Sequence, residues 1–373
     1  MNNIELQEDL PYMFWLHTLP FVSSVKKIEL HKCFSSAKNV YKAKEDTLKS
    51  LGFLSEKNIA SIVTGQKDQS SFEQFEKLKV EQIDFIPWNH AIYPAKLREI
   101  DQPPYALFVK GKLPHPDLYS VAIIGARKCT NYGKSNALEC GRVLSEAGIQ
   151  IISGLAYGVD GYSQRGAILG GTPTFSILGC GVEMCYPKEN MGLYQDIIAK
   201  GGGIISEYPP GTPPLACNFP QRNRIISGLS NIVVVIEAKE RSGTSITASF
   251  ALEQGKDIYA LPGPINSSYS KGCHQLIRQG AGIIISPKEL LDELNCFNRD
   301  FRKCINKGEN VDYKKTLDTL QNMVYSQMCF QPKGINELIE ETNLTVGEIM
   351  DVLVSLELEG YIKEISKNNY ISL

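Results

Sequence analysis

The chain has 373 residues, 43% of them hydrophobic and 21% charged, which is typical of a globular protein with two or three domains. Its formal net charge of −2 excludes a protein that attracts nucleic acid through a uniformly basic surface. The ten cysteines show no CxxC pair and no His–Cys cluster at zinc spacing, so free thiols are predicted, with no bound metal and no cofactor.

The N-terminal part combines an acidic start with an apolar segment, Pro11–Val22. His17 and Pro20 interrupt this segment, which fits neither a signal peptide nor a membrane span, so we expect a cytoplasmic protein without membrane contact. Residues 1–80 show short helical patterns with Lys and Glu on their surfaces, and two helices are predicted on either side of a turn at Gly52. These features predict a small helical module for packing or protein contact.

Residues 81–116 are rich in proline and aromatic side chains and are predicted to be a linker segment with one strand, Tyr105–Lys110. From residue 117 to residue 294, β-branched runs alternate with amphipathic helical stretches. The runs are VAIIGA (121–126), IQIISGLA (149–156), TPTFSILG (172–179), GIISEY (203–208), NIVVVIEA (231–238), KDIYALPG (256–263) and AGIIIS (281–286). This alternation predicts an α/β domain with a Rossmann-like, doubly wound, mostly parallel sheet.

A polar linker is predicted at 295–315, and residues 316–373 are predicted to form a winged helix. Its elements are helices over Thr316–Gln327, Gly334–Glu341 and Thr345–Glu359 and two strands that turn at Lys367–Asn369. Residues 311–373 carry five basic and ten acidic side chains, and the third helix contains no Lys or Arg. Because phosphate contacts dominate DNA affinity, this acidic tail is predicted to contact protein or to regulate.

Ligands of a doubly wound sheet bind beyond the carboxyl ends of its strands, where Gly-rich turns lead into helix N-termini. The polar or Gly-rich turns predicted at this edge are 125–127, 153–158, 179–181, 218–224 and 242–245. Small residues let backbone amides approach a phosphate, and Arg127, Arg222 and Arg224 add forked donors. Several such turns on one edge favour an anionic ligand.

Two nucleotide-binding motifs are incomplete. Gly133-Lys134-Ser135 ends like a Walker A loop, but Lys128 stands where that loop requires glycine. Gly179-Cys180-Gly181 begins a GxGxxG pattern, but Met184 stands where the third glycine belongs. Nucleoside triphosphate hydrolysis and dinucleotide binding are therefore both disfavoured.

A catalytic set is equally hard to assemble from the sequence. None of the five histidines falls at a strand end beside a Ser or Cys nucleophile. Glu207 and Glu237 each follow a predicted strand, where a carboxylate either acts as a base or clamps Arg222 or Arg224. Since no second acid or metal cluster accompanies either glutamate, the clamp is favoured and no enzyme is predicted.

Seven motifs between Val121 and Pro287 occur in a fixed order over roughly half of the chain. They are VAIIGARKCTNYG, SGLAYGVDGYSQRGAI, TFSILGCGVEMCYPKEN, GGIISEYPPGTPP, NFPQRNRIISGLS, VVVIEAKERSGTSITASFALEQGKDIYALPG and GCHQLIRQGA. In order and spacing they resemble the DNA-processing protein DprA (Smf) family. The chain departs from the family at Ser163-Gln164, where Ala-His is usual, and at Ala126, where Ser is usual. Neither departure removes an arginine, but a role for the family's His cannot be carried over.

The resemblance implies a SAM-like helical module in front of the Rossmann-like domain and a winged helix behind it. It also implies a homodimer that binds and protects incoming single-stranded DNA during natural transformation and loads the recombinase RecA. Carried over by motif position, the DNA contacts are Gly125, Arg127, Lys188, Asn218, Phe219, Arg222, Arg224, Ser242, Gly243 and Thr244. Phe219 would stack on a base, although a core residue beside Pro220 is an equally good interpretation.

Dimerisation is predicted through the segment His274–Leu294. Its apolar positions, which a monomer is expected to bury only in part, are Leu276, Ile277, Leu290, Leu291 and Leu294. Two other functions stay open. Ser242-Gly243-Thr244 echoes the PGGxGTxxE motif of nucleoside-monophosphate phosphoribohydrolases, although Thr247 stands in the place of the catalytic glutamate. The second alternative is a small-nucleotide sensor with the winged helix as its output.

Overall fold

The computed structural model describes residues 3–240, 242–297, 319–327, 333–342, 344–358, 362–366 and 369–372. The chain forms two compact units, Met1–Lys307 and Gly308–Leu373. Among the helices of these described ranges, none is both long and apolar enough to cross a membrane. The linker predicted at 295–315 lies outside the described residues from position 298 onward.

The first unit begins with a module of short helices, as the sequence predicts. They are α1 (Asn3–Thr18), α2 (Ser24–Phe34), α3 (Ala37–Lys42), α4 (Glu45–Ser50), α5 (Glu56–Gly65) and α6 (Ser70–Val80). Serine side chains precede α2, α3 and α5 and accept hydrogen bonds from the first turn of each helix. Gly52 connects α4 to α5 with a φ of 73°, a conformation that glycine adopts without steric cost.

The rest of the first unit is built on one sheet. Its strands are β1 (Asp84–Pro87), β2 (Ala106–Gly111), β3 (Ser120–Ile124), β4 (Gln150–Ser153), β5 (Thr174–Leu178), β6 (Gly203–Ser206), β7 (Ile232–Val235), β8 (Asp257–Ala260) and β9 (Gly282–Ile283). They are ordered β1-β2-β6-β5-β4-β3-β7-β8-β9, and neighbours from β6 to β9 are parallel. The chain runs outward from β3 to β6 and then returns to place β7 beside β3. This is the Rossmann-like, doubly wound sheet that the alternating pattern predicts.

Helices cover both faces of this sheet. They are α7 (Ala95–Arg98), α8 (Asn131–Glu146), α9 (Val159–Gly170), α10 (Met191–Ala199), α11 (Asn218–Leu229), α12 (Gly243–Glu253), α13 (Lys271–Arg278) and α14 (Pro287–Phe297), with a 3₁₀ turn at Lys188–Asn190. Successive residues of β3 point to opposite faces. Ala122 and Ile124 join the core under α11 and α12, whereas Val121 and Ile123 join the core under α8 and α9. Burial on both faces explains why the parallel strands are continuous apolar runs.

The structure differs from the prediction at residues 81–116, which form part of the sheet and not a linker. Strand β1 pairs antiparallel with β2, and β2 pairs antiparallel with β6, so the two strands extend the sheet at one edge. Tyr105 and Phe108 are fully buried. The rings of Phe14 in α1 and Phe108 in β2 are 5.9 Å apart. The aromatic residues of this segment therefore join the helical module and the sheet in one core.

Helices α8 and α9 pack backbone against backbone. A Cβ atom at Gly141 would lie 2.0 Å from the carbonyl oxygen of Ser163, and one at Gly166 would lie 2.0 Å from that of Leu138. Only glycine allows these approaches, and Gln164 of α9 is fully buried beside them. Its Nε2 donates to Ser176 Oγ at 2.8 Å and to Phe175 O at 3.1 Å, both in β5. The residue that replaces the family's His thus ties α9 to the sheet.

The burial of the apolar residues in the segment predicted to dimerise agrees only in part with the prediction. Leu290 and Leu294 are 2% and 3% exposed because α14 turns them into the core beside α8. They are therefore not available to a partner, which corrects the prediction for these two residues. At the edge strand β9, Ile283 and Ile285 are 50% and 76% exposed. The half-buried members of the predicted set are Leu276, Ile277 and Leu291.

The second unit is a winged helix. Its elements are α15 (Thr319–Gln327), α16 (Ile335–Thr342), α17 (Val346–Leu358) and a sheet of β10 (Lys333–Gly334), β12 (Asn369–Ser372) and β11 (Ile362–Ser366), in that order. Val324, Leu338, Leu353 and Tyr370 contribute to its core. The three predicted helices and the two predicted strands are present in the described part. The predicted start of the first helix at Thr316, the predicted end of the third helix at Glu359 and the turn residues Lys367 and Asn368 lie outside it.

Candidate functional site

A cavity of about 670 Å³ opens at the carboxyl edge of the sheet, where the order switches between β3 and β7. The turn after β3, the start of α9, the start of α11 and the start of α12 all line it. Of the residues predicted to hold a ligand, those in the lining are Gly125, Arg127, Phe219, Arg222, Ser242, Gly243 and Thr244. The fold thus brings together residues that lie more than 100 positions apart in the sequence, such as Gly125 and Thr244.

One wall of this cavity joins a cation to two aromatic rings. The guanidinium carbon of Arg127 lies 5.2 Å from the centre of the Phe219 ring, within the range of a cation–π interaction. The Tyr186 ring lies 5.5 Å from that of Phe219 at an angle of 35°. Phe219 is half-buried and Tyr186 is 41% exposed. Both rings border the cavity, so Phe219 is not simply a core residue.

Glycine allows the turn that carries Arg127 to lie against the start of α9. A Cβ atom at Gly158 would lie 2.3 Å from the carbonyl oxygen of Ala126 and 2.6 Å from that of Arg127. Gly158 also has a φ of 72°, which disfavours other residues. At Gly125, a Cβ atom would lie 2.7 Å from Val159 Cγ2. The position of Arg127 therefore depends on glycine at two places in the motifs.

The start of α12 forms another part of the lining. Ser242 precedes the helix, but its side chain makes no capping hydrogen bond. Its Oγ is buried and lacks a partner among the residues that the structure describes. The first N–H groups of a helix have no acceptor within the helix, and its positive end favours an anion. Nearby, Lys239 Nζ lies 4.8 Å from the centre of the Tyr269 ring, and both residues line the cavity.

Arg222 lies at the floor of the cavity, where it is only 3% exposed. Its Nη1 donates to the carbonyl oxygen of Gly154 at 2.9 Å and also to that of Ile177. Asp160 lies beside it and accepts a hydrogen bond from Gly154 N at 3.1 Å. Burial lowers the pKa of Arg222 to about 10 although Asp160 opposes the shift. Burial likewise raises the pKa of Asp160 against the opposing charge of Arg222.

Lys188, Asn218 and Arg224 were predicted as ligand contacts but do not line this cavity. Lys188 is exposed in the 3₁₀ turn, and Asn218 donates its Nδ2 to Gly179 O at 3.1 Å. Arg224 donates to both carboxylate oxygens of Glu207, at 2.8 Å and 2.6 Å. The prediction that Glu207 clamps Arg224 is therefore confirmed. Roles for these three residues in ligand binding stay predictions. The ion pair with Glu207 argues against such a role for Arg224.

Arg224 lines a second cavity of about 570 Å³, which also contains His17, Lys27 and Asp101. Lys27 Nζ donates to the carbonyl oxygen of His17. Burial lowers the pKa of Lys27 to about 7 and that of His17 to about 3. The carboxylates of Asp101 and Glu207 offset the charge of Arg224 and the partial charge of Lys27, so this lining lacks the excess of positive charge that an anion requires.

Two predictions about this edge need correction. Residues 218–224 were predicted as a turn but form the first turns of α11. Pro220 is tolerated there because proline lacks an N–H group, and the N–H groups of a first turn have no acceptor within the helix anyway. Glu237 was expected to act as a base or to clamp an arginine. Its two carboxylate oxygens instead accept hydrogen bonds from Thr130 N at 2.9 Å and Thr130 Oγ1 at 2.6 Å.

The structure also adds lining residues that sequence reasoning did not select. The charged and aromatic ones are Lys128, Asp160, Tyr186, Lys239 and Tyr269. Asp160 had a detectable signal, since an acidic residue two positions after a glycine marks the start of a helix behind β4. The other four gave none, because exposed Lys and Tyr are common on any surface. In the part of the chain that the structure describes, no cluster of His, Cys, Asp and Glu is arranged to hold a metal ion.

Comparison with family models identifies both units. A model described as DNA recombination-mediator protein A matches residues 84–295, and one described as DprA winged helix domain matches residues 313–366. Protein Smf of Escherichia coli is 41% identical over 281 residues, which cover 74% of this chain and 74% of that protein. The DNA processing protein DprA of Streptococcus pneumoniae is 42% identical over 201 residues, which cover 54% of this chain and 71% of that protein.

Solved structures agree with these matches. The structure of DNA processing protein A from Streptococcus pneumoniae has a TM-score of 0.66 and 30% identity, covering 76% of this chain and 97% of that one. A structure of DNA processing protein A from Helicobacter pylori, which concerns its single-stranded DNA binding mode, has a TM-score of 0.53 and 30% identity. That alignment covers 58% of this chain and 96% of the other.

Proposed function

The chain belongs to the DprA (Smf) family of DNA recombination mediators, and we propose that it binds single-stranded DNA in the cavity between β3 and β7. One observation carries this proposal: an exposed arginine, two accessible aromatic rings and the start of α12, which has no side-chain cap among the described residues, border the same cavity. These groups match the two parts of a nucleotide. Cations and amides bind the phosphate, and aromatic rings stack on the base without regard to its identity.

The proposed contacts differ in kind. Arg127 and the amides of Gly243 and Thr244 bind phosphate oxygens, and Phe219 stacks on a base. Gly125 and Ser242 also line the cavity, and we propose that they contact the strand through their backbone atoms. Arg222 acts through its buried charge at the floor. Lys188 and Asn218 are proposed to contact the strand beyond the cavity, at its rim.

We propose no catalytic step at this site. Glu207 is held by Arg224 and Glu237 by Thr130, so each carboxylate already has strong hydrogen-bond partners. At the position of the phosphoribohydrolase glutamate stands Thr247, which is 3% exposed. Release of free base from a nucleotide by the purified protein would favour that enzyme instead. A mononucleotide that binds as tightly as an oligonucleotide would favour a small-nucleotide sensor.

The wider role that we propose is protection of incoming single-stranded DNA during natural transformation, in the cytoplasm, and delivery of that strand to the recombinase RecA. Family membership supports this role, because the matching family model is described as a recombination mediator. The measurement is the rate of RecA filament growth on DNA coated with single-strand-binding protein. The rate should rise when this chain is added and should not rise with a variant that cannot bind the strand.

Strand preference is the first prediction. Bases of a duplex are stacked inside the helix and cannot reach Phe219, so single-stranded DNA should bind more tightly than duplex DNA of the same length. The affinity should fall as salt rises, since bound phosphates release counterions. A fluorescence titration of both ligands over a salt series measures this difference. Equal affinities at physiological salt would contradict the proposed site.

The second prediction concerns Arg127. Arg127→Ala should weaken single-strand binding by roughly tenfold, about 1.4 kcal/mol, and leave the melting temperature nearly unchanged because the side chain is exposed. Arg142→Ala is the control, since Arg142 pairs with Glu139 and Glu146 on α8 and does not line the cavity. Arg224→Ala should instead lower stability, because it leaves the carboxylate of Glu207 unpaired. Parent-like DNA binding by Arg127→Ala would show that the site lies elsewhere.

The third prediction is a homodimer formed through the edge strand β9. Ile283 in β9 and Ile285 just after it expose apolar surface at the outermost described strand of the sheet, which is unfavourable in a monomer. Sedimentation at micromolar concentration should give twice the mass of the chain. Ile285→Glu should shift the protein to the monomer, whereas the same change at the exposed Ile265, outside this edge, should not. A parent protein that sediments as a monomer would reject the dimer.

The fourth prediction separates the tail from DNA binding. The exposed face of α17 combines Val346, Met350 and Val354 with the acidic Glu348 and Asp351. This face suits a protein partner and repels phosphate, although the repulsion is screened beyond a Debye length of ~8 Å. Deletion of residues 311–373 should leave single-strand affinity unchanged or slightly higher. A tenfold loss would show that the tail grips DNA, for example through the wing residue Lys363.

A further inference from the structure

A buried carboxylate occupies the N-terminus of α8, the helix that follows the first strand of the parallel sheet. In doubly wound folds, this helix start presents its free N–H groups to the phosphate of a bound nucleotide. Here Glu237, which follows β7 and is 3% exposed, accepts hydrogen bonds from Thr130 N at 2.9 Å and Thr130 Oγ1 at 2.6 Å. Thr130 is the residue that caps α8.

The carboxylate lies directly against the first turn of the helix. A Cβ atom at Gly133 would lie 2.3 Å from Glu237 Oε2 and 2.5 Å from its Cδ. Thr130 Oγ1, which donates to Glu237, accepts in turn from Gly133 N at 3.2 Å. Two donors of the helix start are thus satisfied by one linked set of hydrogen bonds. The glycine that resembles part of a Walker A loop makes room for a carboxylate of the chain itself.

We propose that Glu237 is a built-in anion that replaces the ligand phosphate at the N-terminus of α8. It closes this first turn to the phosphates of free nucleotides. Phosphate is recognised instead by Arg127 and the start of α12. This part of the proposal rests on the proposed function. Glu237 does not touch the DNA in this proposal. It acts as a positioning and specificity-determining residue.

The same contact positions the turn that carries Arg127. This turn begins at Gly125, where a Cβ atom would lie 3.0 Å from the carbonyl oxygen of Glu237, and it ends at Thr130, whose N–H and hydroxyl bind the Glu237 carboxylate. The turn therefore lies against Glu237 at its start and is hydrogen-bonded to the Glu237 carboxylate at its end. Loss of the carboxylate frees one end of the turn, and with it the placement of Arg127 over Phe219.

Chemical rescue tests the anion directly. Glu237→Ala leaves a space of the size of a carboxylate beside two donors, Thr130 N and Thr130 Oγ1, that lose their acceptor. Its melting temperature should fall, and sodium formate should restore part of the loss while sodium chloride of equal ionic strength should not. Glu237→Gln keeps the size but loses the charge, so it should melt below the parent and gain nothing from formate. Should Glu237→Ala not fold, the yield of refolding in formate against chloride replaces the melting curve.

A second pair of variants distinguishes this contact from packing. Thr130→Val removes the hydroxyl that joins Glu237 to Gly133 and should lower the melting temperature and single-strand affinity, about tenfold for the latter. Thr130→Ser keeps the hydroxyl and should restore both. For specificity, inorganic pyrophosphate should bind Glu237→Ala more tightly than the parent in a calorimetric titration, because any phosphate contact at Arg127 and the start of α12 is common to both proteins.

The outcomes separate this inference from the proposed function. Melting curves, formate rescue and pyrophosphate binding need no DNA, so they test Glu237 even if the chain binds no single strand. A Glu237→Gln variant that melts like the parent, together with no specific effect of formate, would overturn the built-in anion. Pyrophosphate that binds the parent as tightly as Glu237→Ala would overturn its role in specificity.

Discussion

A single buried guanidinium joins the elements on which the carboxyl edge of the sheet depends. Arg222 donates to carbonyl oxygens of Gly154 and Ile177, at the ends of β4 and β5, and lies beside Asp160 at the start of α9. A Cβ atom at Gly154 would lie 2.7 Å from both terminal nitrogens of Arg222. A buried charge is costly unless it is paired and hydrogen-bonded. The strand ends can therefore be arranged in few other ways.

Arg127, Arg222 and Arg224 differ in burial and therefore in the contacts that they make. Arg222 and Arg224 are 3% and 6% exposed. Arg222 donates hydrogen bonds to carbonyl oxygens, and Arg224 donates to the carboxylate of Glu207. Arg127 is exposed, so its donors stay accessible beside the ring of Phe219. The two buried arginines hold neighbouring elements together, and only the exposed one has donors free to reach the proposed ligand. Substitution of each should consequently affect different measurements, stability for the former and affinity for the latter.

The parallel sheet could be predicted from the sequence because strands buried on both faces must be continuous apolar runs. Strand β1 could not, since Asp84–Pro87 is a short edge strand that contains an exposed Asp and a Pro. The partners of Glu237 were equally hidden. Thr130 and Glu237 are 107 positions apart, and nothing in either motif indicates which donor a carboxylate at a strand end will find. Likewise, the sequence could not rank the three arginines, because their burial depends on distant carbonyl oxygens.

The charge of the chain limits the distance over which the proposed site can attract a polyanion. The chain carries a net charge of −2, and charges beyond a Debye length of ~8 Å are screened at physiological salt. Long-range attraction of a polyanion is thus weak, so a strand at the proposed site would depend on contacts inside the cavity. Carboxylates near that cavity, such as Asp160 and Glu237, are tied to internal donors. Asp160 is the one carboxylate in the described lining of the cavity and lies beside Arg222, whereas Arg127, Lys128 and Lys239 add three further cations, so the local charge of the lining is positive.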